Sequence, residues 1–487
     1  MLSLKNGVLW LKSRWWLAAL LPALWLRFDL ASCNEWFWYD ESFSYLVASA
    51  PWGALLRATA ADVHPPLYYA LLKIWLGIVP SLAPAFTIET QARLLSFALS
   101  CVALAQYWKL LTRLELPIDQ RRLAFGLALY APGLIWFASE ARMYALMEVL
   151  VLAIMLQWTP EPGHEMTWGR ALLSGPLFGL LALTHNAGLY YCVSLAAALA
   201  VRYTIRRAWQ PLAAAGAIGF LCWAPWAVFG FARQVLTYSG GRYWIGTPSP
   251  LNAVGLLYKS FFYIRLPESQ PWVYVFGVML LGWLIVWGLV FERRRWLHIA
   301  AYGPAVLGFL VSAVLGAGAI IGRVLIPGSF LAFIPMAGVL RRREGWFLLP
   351  VLVALIAAPF MGLISEGRLV RNAADFSFLA QQFEVDVIYA AQSGALPLSV
   401  YAQVPVLYAA LDDEHGAGLN DGVYPALGLA RGDLRDVPTW ERAWFVYGDT
   451  QFTAEAVSAH GDAILAQYAA QPVPLPDGGR WLWQLTR

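Results

Sequence analysis

Apolar runs long enough to cross a lipid bilayer recur between residues 11 and 364 of this 487-residue chain. A helix needs about 20 apolar residues to span the hydrocarbon core, with a range of about 17–25. The chain is 60% hydrophobic and 13% charged, whereas soluble domains carry about 25% charged residues. It is therefore predicted to be a polytopic α-helical membrane protein. The candidate spans are residues 11–30, 91–112, 123–139, 143–158, 170–185, 187–201, 209–230, 271–291, 297–319, 323–340 and 346–364.

Basic clusters in the short loops predict how these spans are oriented, because Lys and Arg are enriched on the cytoplasmic side of membrane proteins. If residues 171–201 form two helices that turn near Thr184-His185-Asn186, every basic cluster lies on the cytoplasmic side. If they form one long helix, the clusters are split between the two sides of the membrane. We therefore predict about eleven spans, an uncleaved signal anchor with a cytoplasmic N-terminus, and an external C-terminus. The clusters are Arg113/Arg121/Arg122, Arg202/Arg206/Arg207, Arg293–Arg295 and Arg341–Arg343.

The end of the chain differs in charge from the part before it. From Glu366 to Arg487 there are 15 acidic and 7 basic residues, a net charge of −8, and the preceding part has 27 basic and 15 acidic residues, or +12. The basic excess lies in short loops, so it indicates topology and gives no support to nucleic-acid binding. We predict a membrane domain at residues 1–364 and a soluble α/β domain at residues 365–487. Its predicted strands are Asp386–Ala391, Leu398–Gln403, Ala443–Gly448 and Trp481–Leu485, and its predicted helices are Phe376–Phe383 and Ala454–Ala469.

Two long external loops are predicted, at residues 31–90 and 231–270. In the first, Phe43, Leu46, Val47 and Ala50 recur at helical spacing, which predicts an amphipathic helix along the membrane surface. A second surface helix is predicted at residues 66–79, after the sequence "DVHPP", where proline is tolerated in a first turn. A twelfth span is the alternative there.

Paired acids follow the first predicted span, in the sequence "WFWYDESFSYLV" that contains Asp40 and Glu41. Polar residues near the membrane are costly and tend to mark function. Acids and arginines on one face suit transfer of a sugar from a polyprenyl phosphate, with a carboxylate accepting the acceptor hydroxyl's proton and cations holding the departing phosphate. Asp40 is the candidate base, and Glu41 is a second catalytic candidate. The candidate ligands of the donor phosphate are Arg323, Arg142, His64 and Arg242.

Six short motifs carry a resemblance to a known family. The sequences "WYDESFSYLV", "DVHPPLYYALLKIWL", "RLLSFAL", "SEARMYAL", "LTHNAGLYY" and "GRVLIP" occur in the order seen in GT-C glycosyltransferases. They span residues 20–330 and are most similar to the bacterial branch with protein O-mannosyltransferases (family 39) and the lipid A aminoarabinose transferase. The resemblance implies a GT-C-like fold with juxtamembrane helices, a lipid-phosphate sugar donor, an inverting mechanism, and a catalytic Asp that corresponds to Asp40.

The chain also departs from the family's pattern. An arginine-tyrosine pair near the start of a late helix appears here as Arg323-Val324, and a WWDYG-type motif of N-linked oligosaccharyltransferases is absent from the sequence. Within the motifs, the candidates for contact with the sugar or the acceptor are Asp62, Tyr68, Tyr144 and His185.

Each candidate also has a purely structural explanation. Acids in a first helical turn interact favourably with the helix dipole, which would account for Asp40 and Glu41 without catalysis. The run "DDEH" at residues 412–415 is better explained as solvated surface charge than as a metal cluster. The corresponding explanations are a solvated loop position for His64, an ion pair with Glu140 or Glu148 for Arg142, snorkelling for Arg323 and a satisfied helix-end position for His185.

The spacing demands no cofactor, although Asp40, Glu41 and His64 could supply ligands to a divalent metal. The expected partners are a polyprenyl-phosphate sugar, a glycan, lipid or protein acceptor, and membrane lipid. The expected location is the bacterial inner membrane, with the site on the periplasmic face. A lipid or solute transporter is the rival class, and it would favour inverted repeats and ionisable residues at the midplane. A scaffold without catalysis is a third class, against which the presence of Asp40 argues.

Overall fold

The computed structural model is predominantly helical. The residues it describes are 20–32, 36–203, 205–239, 255–256, 260–261, 271–315, 318–342, 352–353, 387–401, 405–409, 423–432, 443–446, 469–472 and 482–486. Several sequence predictions therefore lie wholly or mostly outside the described residues: Arg242, the run at residues 412–415, the helix Phe376–Phe383, the span 346–364 apart from residues 352–353, the helix Ala454–Ala469 apart from its last residue, and the loop 231–270 apart from residues 231–239, 255–256 and 260–261.

The described helices follow one another in the following chain order. They are α1 (Leu20–Ser32), α2 (Tyr39–Ser49), α3 (Trp52–Ala61), α4 (Leu67–Leu82), α5 (Ile88–Arg113), α6 (Ile118–Tyr130), α7 (Pro132–Phe137), α8 (Tyr144–Gln157), α9 (Trp168–Thr184), α10 (Gly188–Arg202), α11 (Ile205–Trp226), α12 (Ala232–Ser239), α13 (Pro271–Phe291), α14 (Arg295–Leu315), α15 (Ile326–Leu340), α16 (Gln392–Tyr401) and α17 (Tyr424–Ala426). A π-helical turn, Ala227–Phe231, joins α11 to α12, and a 3-10 turn, Gly322–Leu325, precedes α15.

The chain forms two compact units. The first contains Met1–Cys33, Arg93–Pro225 and Ile245–Leu369, and the second contains Asn34–Ala92, Trp226–Trp244 and Val370–Arg487. The second unit thus combines the helices of the predicted first loop with the C-terminal part of the chain.

Several helices are apolar enough to cross a membrane, as the sequence predicts. Among the described residues, the four of spanning length are Ile88–Arg113, Trp209–Leu236, Arg295–Leu315 and Gly322–Leu340. Shorter apolar helices are Leu67–Leu82, Tyr144–Gln157, Gly188–Arg202 and Gly277–Phe291. These helices indicate an integral membrane protein.

Residues 171–201 form two helices, and the break falls at the predicted turn. Helix α9 ends at Thr184 and α10 begins at Gly188. The Nδ1 atom of His185 accepts a hydrogen bond from the amide of Ala187 at 2.9 Å, which satisfies a donor that the break would otherwise leave free. Gly188 packs against the backbone of Leu181 so closely that a Cβ atom at this position would overlap the Leu181 carbonyl oxygen. The turn therefore requires glycine there.

Small residues let α9 and α11 approach closely. A Cβ atom on Gly179 would lie 2.5 Å from the Cβ atom of Cys222, and one on Gly175 would lie 2.7 Å from the Cβ atom of Ile218. Gly219 on α11 faces the same contact, because a Cβ atom there would lie 2.8 Å from Cβ of Phe178. Such small-residue interfaces hold helices together where lipid removes the hydrophobic driving force.

Gly179→Ala is expected to destabilise this contact by about 1–3 kcal/mol, because the added methyl group has no space and the two helices must separate. The measurement is the thermal unfolding midpoint of the purified protein in detergent. Gly216→Ala on α11 is the matched control, since a Cβ atom on Gly216 would meet no described atom within 4 Å. Equal midpoints for the two variants would contradict the predicted close contact.

In the second unit, three helices follow one another in the first loop. Helices are present at the two positions where surface helices are predicted, as α2 and α4, and α3 (Trp52–Ala61) lies between them where the sequence analysis predicts no element. Lys73 on α4 donates hydrogen bonds to the carbonyl oxygens of Ala48 and Ala50, at 3.1 and 2.7 Å. A cation at a helix C-terminus is favourable, so Lys73 both stabilises the end of α2 and attaches it to α4.

The C-terminal part of the second unit contains a six-stranded mixed sheet in the order β3-β2-β1-β4-β6-β5. Strand β1 runs parallel to both β2 and β4, whereas β6 runs antiparallel to β4 and β5. In register, Ile388 faces Val406 on one side and Trp444 on the other. The strands are β1 (Val387–Ala391), β2 (Val406–Ala409), β3 (Arg431–Gly432), β4 (Ala443–Val446), β5 (Ala469–Pro472) and β6 (Leu482–Thr486).

One predicted strand is wrong. Residues 398–401 of the predicted strand Leu398–Gln403 belong to helix α16, Gln392–Tyr401. Because β1 and β2 are parallel, the chain must cross back between them, and a helix is the usual connection. The apolar residues Leu396 and Leu398 are both fully buried, which fits the inner side of such a crossover as well as it fits a strand.

Candidate functional site

Asp40 and Glu41 lie side by side in the first turn of α2 but differ in accessibility. The helix begins at Tyr39 after Trp38, and the Trp38 side chain does not cap it by hydrogen bonding, so the two acids supply the negative charge that a helix N-terminus favours. Glu41 is fully buried, whereas Asp40 is partly exposed. A group that accepts a proton from a substrate must be within hydrogen-bond reach of it. Asp40 keeps some exposed surface in this conformation, although its Oδ2 atom is buried, and Glu41 keeps none.

Tyr401, at the end of α16, holds the segment just before Asp40. Its hydroxyl accepts a hydrogen bond from the amide of Phe37 at 2.8 Å and donates one to Oε1 of Glu89 at 2.7 Å. Its ring packs edge-on against Trp36, with ring centroids 4.4 Å apart. Burial raises the pKa of Tyr401 well above its usual value, and the nearby Glu89 carboxylate raises it further. The hydroxyl therefore stays protonated and keeps donating to Glu89.

Two further tyrosines lie near Asp40: Tyr39, the residue before it, and Tyr424. Tyr424 lies close enough to Tyr39 to affect its pKa. Burial is the main cause that raises the pKa of Tyr39, followed by Tyr424 and the carboxylates of Asp62 and Asp40. Asp40 and Asp62 therefore lie within electrostatic range of the same phenol.

Asp62 and His64 form a pair before helix α4. Nδ1 of His64 lies 2.7 Å from Oδ2 of Asp62, and the side chains are 12% and 13% exposed. His64 is thus held by a carboxylate and is not a fully solvated loop residue. Tyr68 in the first turn of α4 is fully buried and packs edge-on against Tyr69.

In the first unit, Glu140 and Arg142 lie in the short segment between α7 and α8, and both are buried. Oε1 of Glu140 accepts a hydrogen bond from the indole of Trp136 at 2.6 Å. The carbonyl oxygen of Arg142 accepts one from Ser96 at 3.3 Å. These hydrogen bonds fix the segment to the helices before it. The backbone that carries the Arg142 side chain is therefore held in place.

Arg323 lies in the 3-10 turn before α15 and is partly exposed. Two tyrosines of α10 hold this turn on both sides of the arginine. Tyr191 donates to the carbonyl oxygen of Val324 and accepts from the amide of Gly328, both at 3.1 Å. Tyr190 donates to the carbonyl oxygen of Ala319 at 3.3 Å. The motif "LTHNAGLYY" thus fixes the backbone of the motif "GRVLIP".

Tyr191→Phe is expected to lower the stability of the protein by about 1–3 kcal/mol, because the buried Val324 carbonyl and the Gly328 amide both lose their partner. Thermal unfolding of the purified variant measures the loss. Tyr190→Phe removes one longer hydrogen bond and should cost less. A smaller loss for Tyr191→Phe than for Tyr190→Phe would contradict the bridging role.

The other two candidates of the first unit, Tyr144 and His185, lie near each other. His185 caps the break between α9 and α10, and its ring centroid lies 6.5 Å from that of Tyr144. Tyr144 is fully buried. Among the described residues, no group of three His, Cys, Asp or Glu side chains is placed to hold a metal ion, and this includes Asp40, Glu41 and His64.

The structure thus collects the predicted residues in two sets. The second unit contains Asp40, Glu41, Asp62, His64 and Tyr68, and the first unit contains Arg142, Tyr144, His185 and Arg323.

Residues that the sequence analysis does not single out complete these sets. Tyr401 contacts the residues before α2, Glu89 accepts a hydrogen bond from Tyr401, and Tyr424 lies near Tyr39. Arg93 is an arginine with no exposed surface near the start of an apolar helix. A buried charge inside an apolar helix is a signal that could have identified Arg93. Nothing local distinguishes Tyr401, which lies 364 residues along the chain from Phe37.

These features define a class of fold: a helical membrane protein with helices in its first loop and a C-terminal mixed sheet. No family model matches the sequence, and no curated protein does either.

Comparison with solved structures identifies proteins that have a similar fold. The chain is similar to ArnT from Cupriavidus metallidurans bound to undecaprenyl phosphate, with a TM-score of 0.61, 13% identity, and 97% of each chain covered. The apo state of the same protein matches with a TM-score of 0.60 and 13% identity, over 97% of this chain and 98% of that chain. The chain therefore has the fold of this ArnT, and the predicted resemblance is confirmed in its fold.

Proposed function

We propose that this protein is an inverting glycosyltransferase that transfers a hexose or a pentose from a polyprenyl phosphate to an acceptor, with Asp40 as the general base. The observation that carries the proposal is a partly exposed Asp40 beside a sealed Glu41 at the start of the first-loop helix. It is supported by the fold, because the similar ArnT was crystallised with undecaprenyl phosphate.

The chemistry assigns a role to each charged group. The acceptor hydroxyl oxygen attacks the anomeric carbon of the sugar, and its proton passes to the Asp40 carboxylate. The bond between the anomeric carbon and the phosphate oxygen breaks, and the electron pair leaves with the polyprenyl phosphate. Attack opposite to the leaving group inverts the configuration at that carbon.

Arginines are proposed to hold the negative charge that develops on the leaving phosphate. Arg323 and Arg142 are the first candidates, because the planar guanidinium matches two phosphate oxygens at once. The rigid backbone around each residue is consistent with preorganised electrostatic stabilisation. His64 and Arg242 are further candidates for the phosphate, and Asp62, Tyr68, Tyr144 and His185 for positioning the sugar or the acceptor.

We further propose about eleven spans, with the N-terminus in the cytoplasm and the C-terminal domain and the site on the periplasmic face of a bacterial inner membrane. The positive-inside distribution of arginines supports this arrangement. A reporter protein fused after Arg487, active only outside the cytoplasm, tests it. A silent reporter on a fully expressed fusion would contradict the topology.

Sugar transfer by the purified protein tests the function. The protein in detergent is incubated with radiolabelled polyprenyl-phosphate sugars and with glycan, lipid and protein acceptors. Labelled acceptor together with free polyprenyl phosphate is the expected result. If proteoliposomes instead move the intact labelled lipid between leaflets without breaking the sugar–phosphate bond, the rival class of lipid transporter is correct.

A further inference from the structure

The C-terminal part of the chain reaches the helix of Asp40 through Tyr401. The side chain touches three places at once: the ring of Trp36, the amide of Phe37 and the carboxylate of Glu89. Phe37 precedes Asp40 by three residues, so the amide that Tyr401 accepts from lies immediately before the first turn of α2. All of these groups belong to the second unit.

The first turn of α2 is not held by its own N-cap residue. The side chain of Trp38 makes no hydrogen bond to the helix, whereas N-cap side chains commonly hold a first turn in place. The contact with α16 instead holds the two residues before the N-cap. Tyr401 accepts from the amide of Phe37 and packs against the ring of Trp36.

We propose that Tyr401 is a positioning residue for Asp40, and that the C-terminal α/β part thereby forms a required support of the catalytic site. This inference rests on the proposed function, because it assigns the position of the proposed base. A displacement of about 1 Å can cost about a hundredfold in rate, so a base on an uncapped first turn depends on such an anchor. The support acts through the backbone of residues 36–39, and Tyr401 itself need not touch the substrate.

Tyr401→Phe is the informative variant, because it removes both hydrogen bonds and keeps the ring that packs on Trp36. We expect kcat to fall by roughly tenfold and KM for the polyprenyl-phosphate sugar to change by less than about threefold, since misplacement of the base affects the chemical step. We also expect amide hydrogen exchange of the segment 36–43 to become about tenfold faster, while exchange in α8 stays unchanged. The exchange measurement needs no substrate.

Two comparisons separate positioning from loss of stability. Ile388→Ala in strand β1 removes a buried side chain from the sheet of the same unit, and it should lower the unfolding midpoint while leaving kcat and exchange of residues 36–43 at wild-type values below that midpoint. In the Asp40→Asn background, Tyr401→Phe should cause no further loss of kcat, because it acts through Asp40. Glu89→Gln should reproduce part of the effect of Tyr401→Phe.

The outcomes distinguish this inference from the function on which it rests. Wild-type kcat and exchange in Tyr401→Phe, alongside an inactive Asp40→Asn, would overturn the inference alone. A full tenfold loss by Tyr401→Phe in the Asp40→Asn background would also overturn it, because the tyrosine would then act independently of the base. Full activity of Asp40→Asn would overturn the proposed base and the inference together.

Discussion

Asp40→Asn is expected to lower kcat for sugar transfer by roughly 10²–10⁴-fold, the usual contribution of a general base. The amide keeps the size and the position of the carboxylate but cannot accept the proton of the acceptor hydroxyl. KM for the lipid donor should change little, because the lost interaction is made in the transition state. Steady-state transfer of labelled sugar from a polyprenyl phosphate measures both constants.

Asp40 lies in a first helical turn, where its charge also stabilises the helix. A control variant must therefore separate this effect from loss of the base. Asp119 lies in the first turn of α6 and is exposed, so Asp119→Asn removes the same favourable charge without touching the proposed chemistry. Asp119→Asn should retain wild-type kcat. Equal losses in the two variants would show that Asp40 acts through helix stability, and full transfer by Asp40→Asn would refute the general-base role.

Arg323→Ala is expected to lower kcat by roughly 10²–10³-fold, which is the typical cost of removing one preorganised group that stabilises developing charge. The reason is the negative charge that appears on the phosphate oxygen as the sugar leaves. Arg323→Lys should retain part of the rate, because lysine supplies the charge but not the planar pair of donors. Release of polyprenyl phosphate in single-turnover experiments measures the chemical step directly.

Arg341 supplies the matched control for this variant. It lies at the opposite end of the same helix, as the residue after α15, and it is exposed. Arg341→Ala should leave kcat unchanged, since an exposed charge there makes no predicted contact with the donor. If Arg323→Ala keeps wild-type kcat, snorkelling accounts for this arginine and a different cation holds the phosphate.

The described membrane helices could be predicted from the sequence because the signals that specify them are local. An apolar run must close its backbone hydrogen bonds within itself when water is absent, so the run alone specifies a helix. The break at residues 185–187 is also local, since Gly188 and His185 supply the tight turn and the cap that it needs. The amphipathic spacing around Phe43 likewise specifies α2.

The errors arose where the deciding interaction is distant in sequence. Residues 398–401 could serve as a strand or as a helix, and the parallel pairing of β1 with β2 makes them a helix. Helix α3 was missed although Ala54, Leu55 and Ala58 are buried at helical spacing, and its neighbours include Gln234, whose side chain donates to the carbonyl oxygen of Thr59 at 2.8 Å. Local propensity is a weak prior that such tertiary contacts override.

The dipeptide Asp40-Glu41 shows the same difference between what local sequence indicates and what distant contacts decide. Their residue types, their place after the first apolar run and the surrounding motifs were enough to propose a proton-accepting acid at this position. Adjacent residues on a helix project in different directions, and which one is sealed depends on what packs there. Glu41 is fully buried and Asp40 is partly exposed, in a unit where Tyr401 reaches residues 36–37 from far along the chain. The sequence determined the carboxylates that are present, whereas long-range packing determined how far each of them is buried.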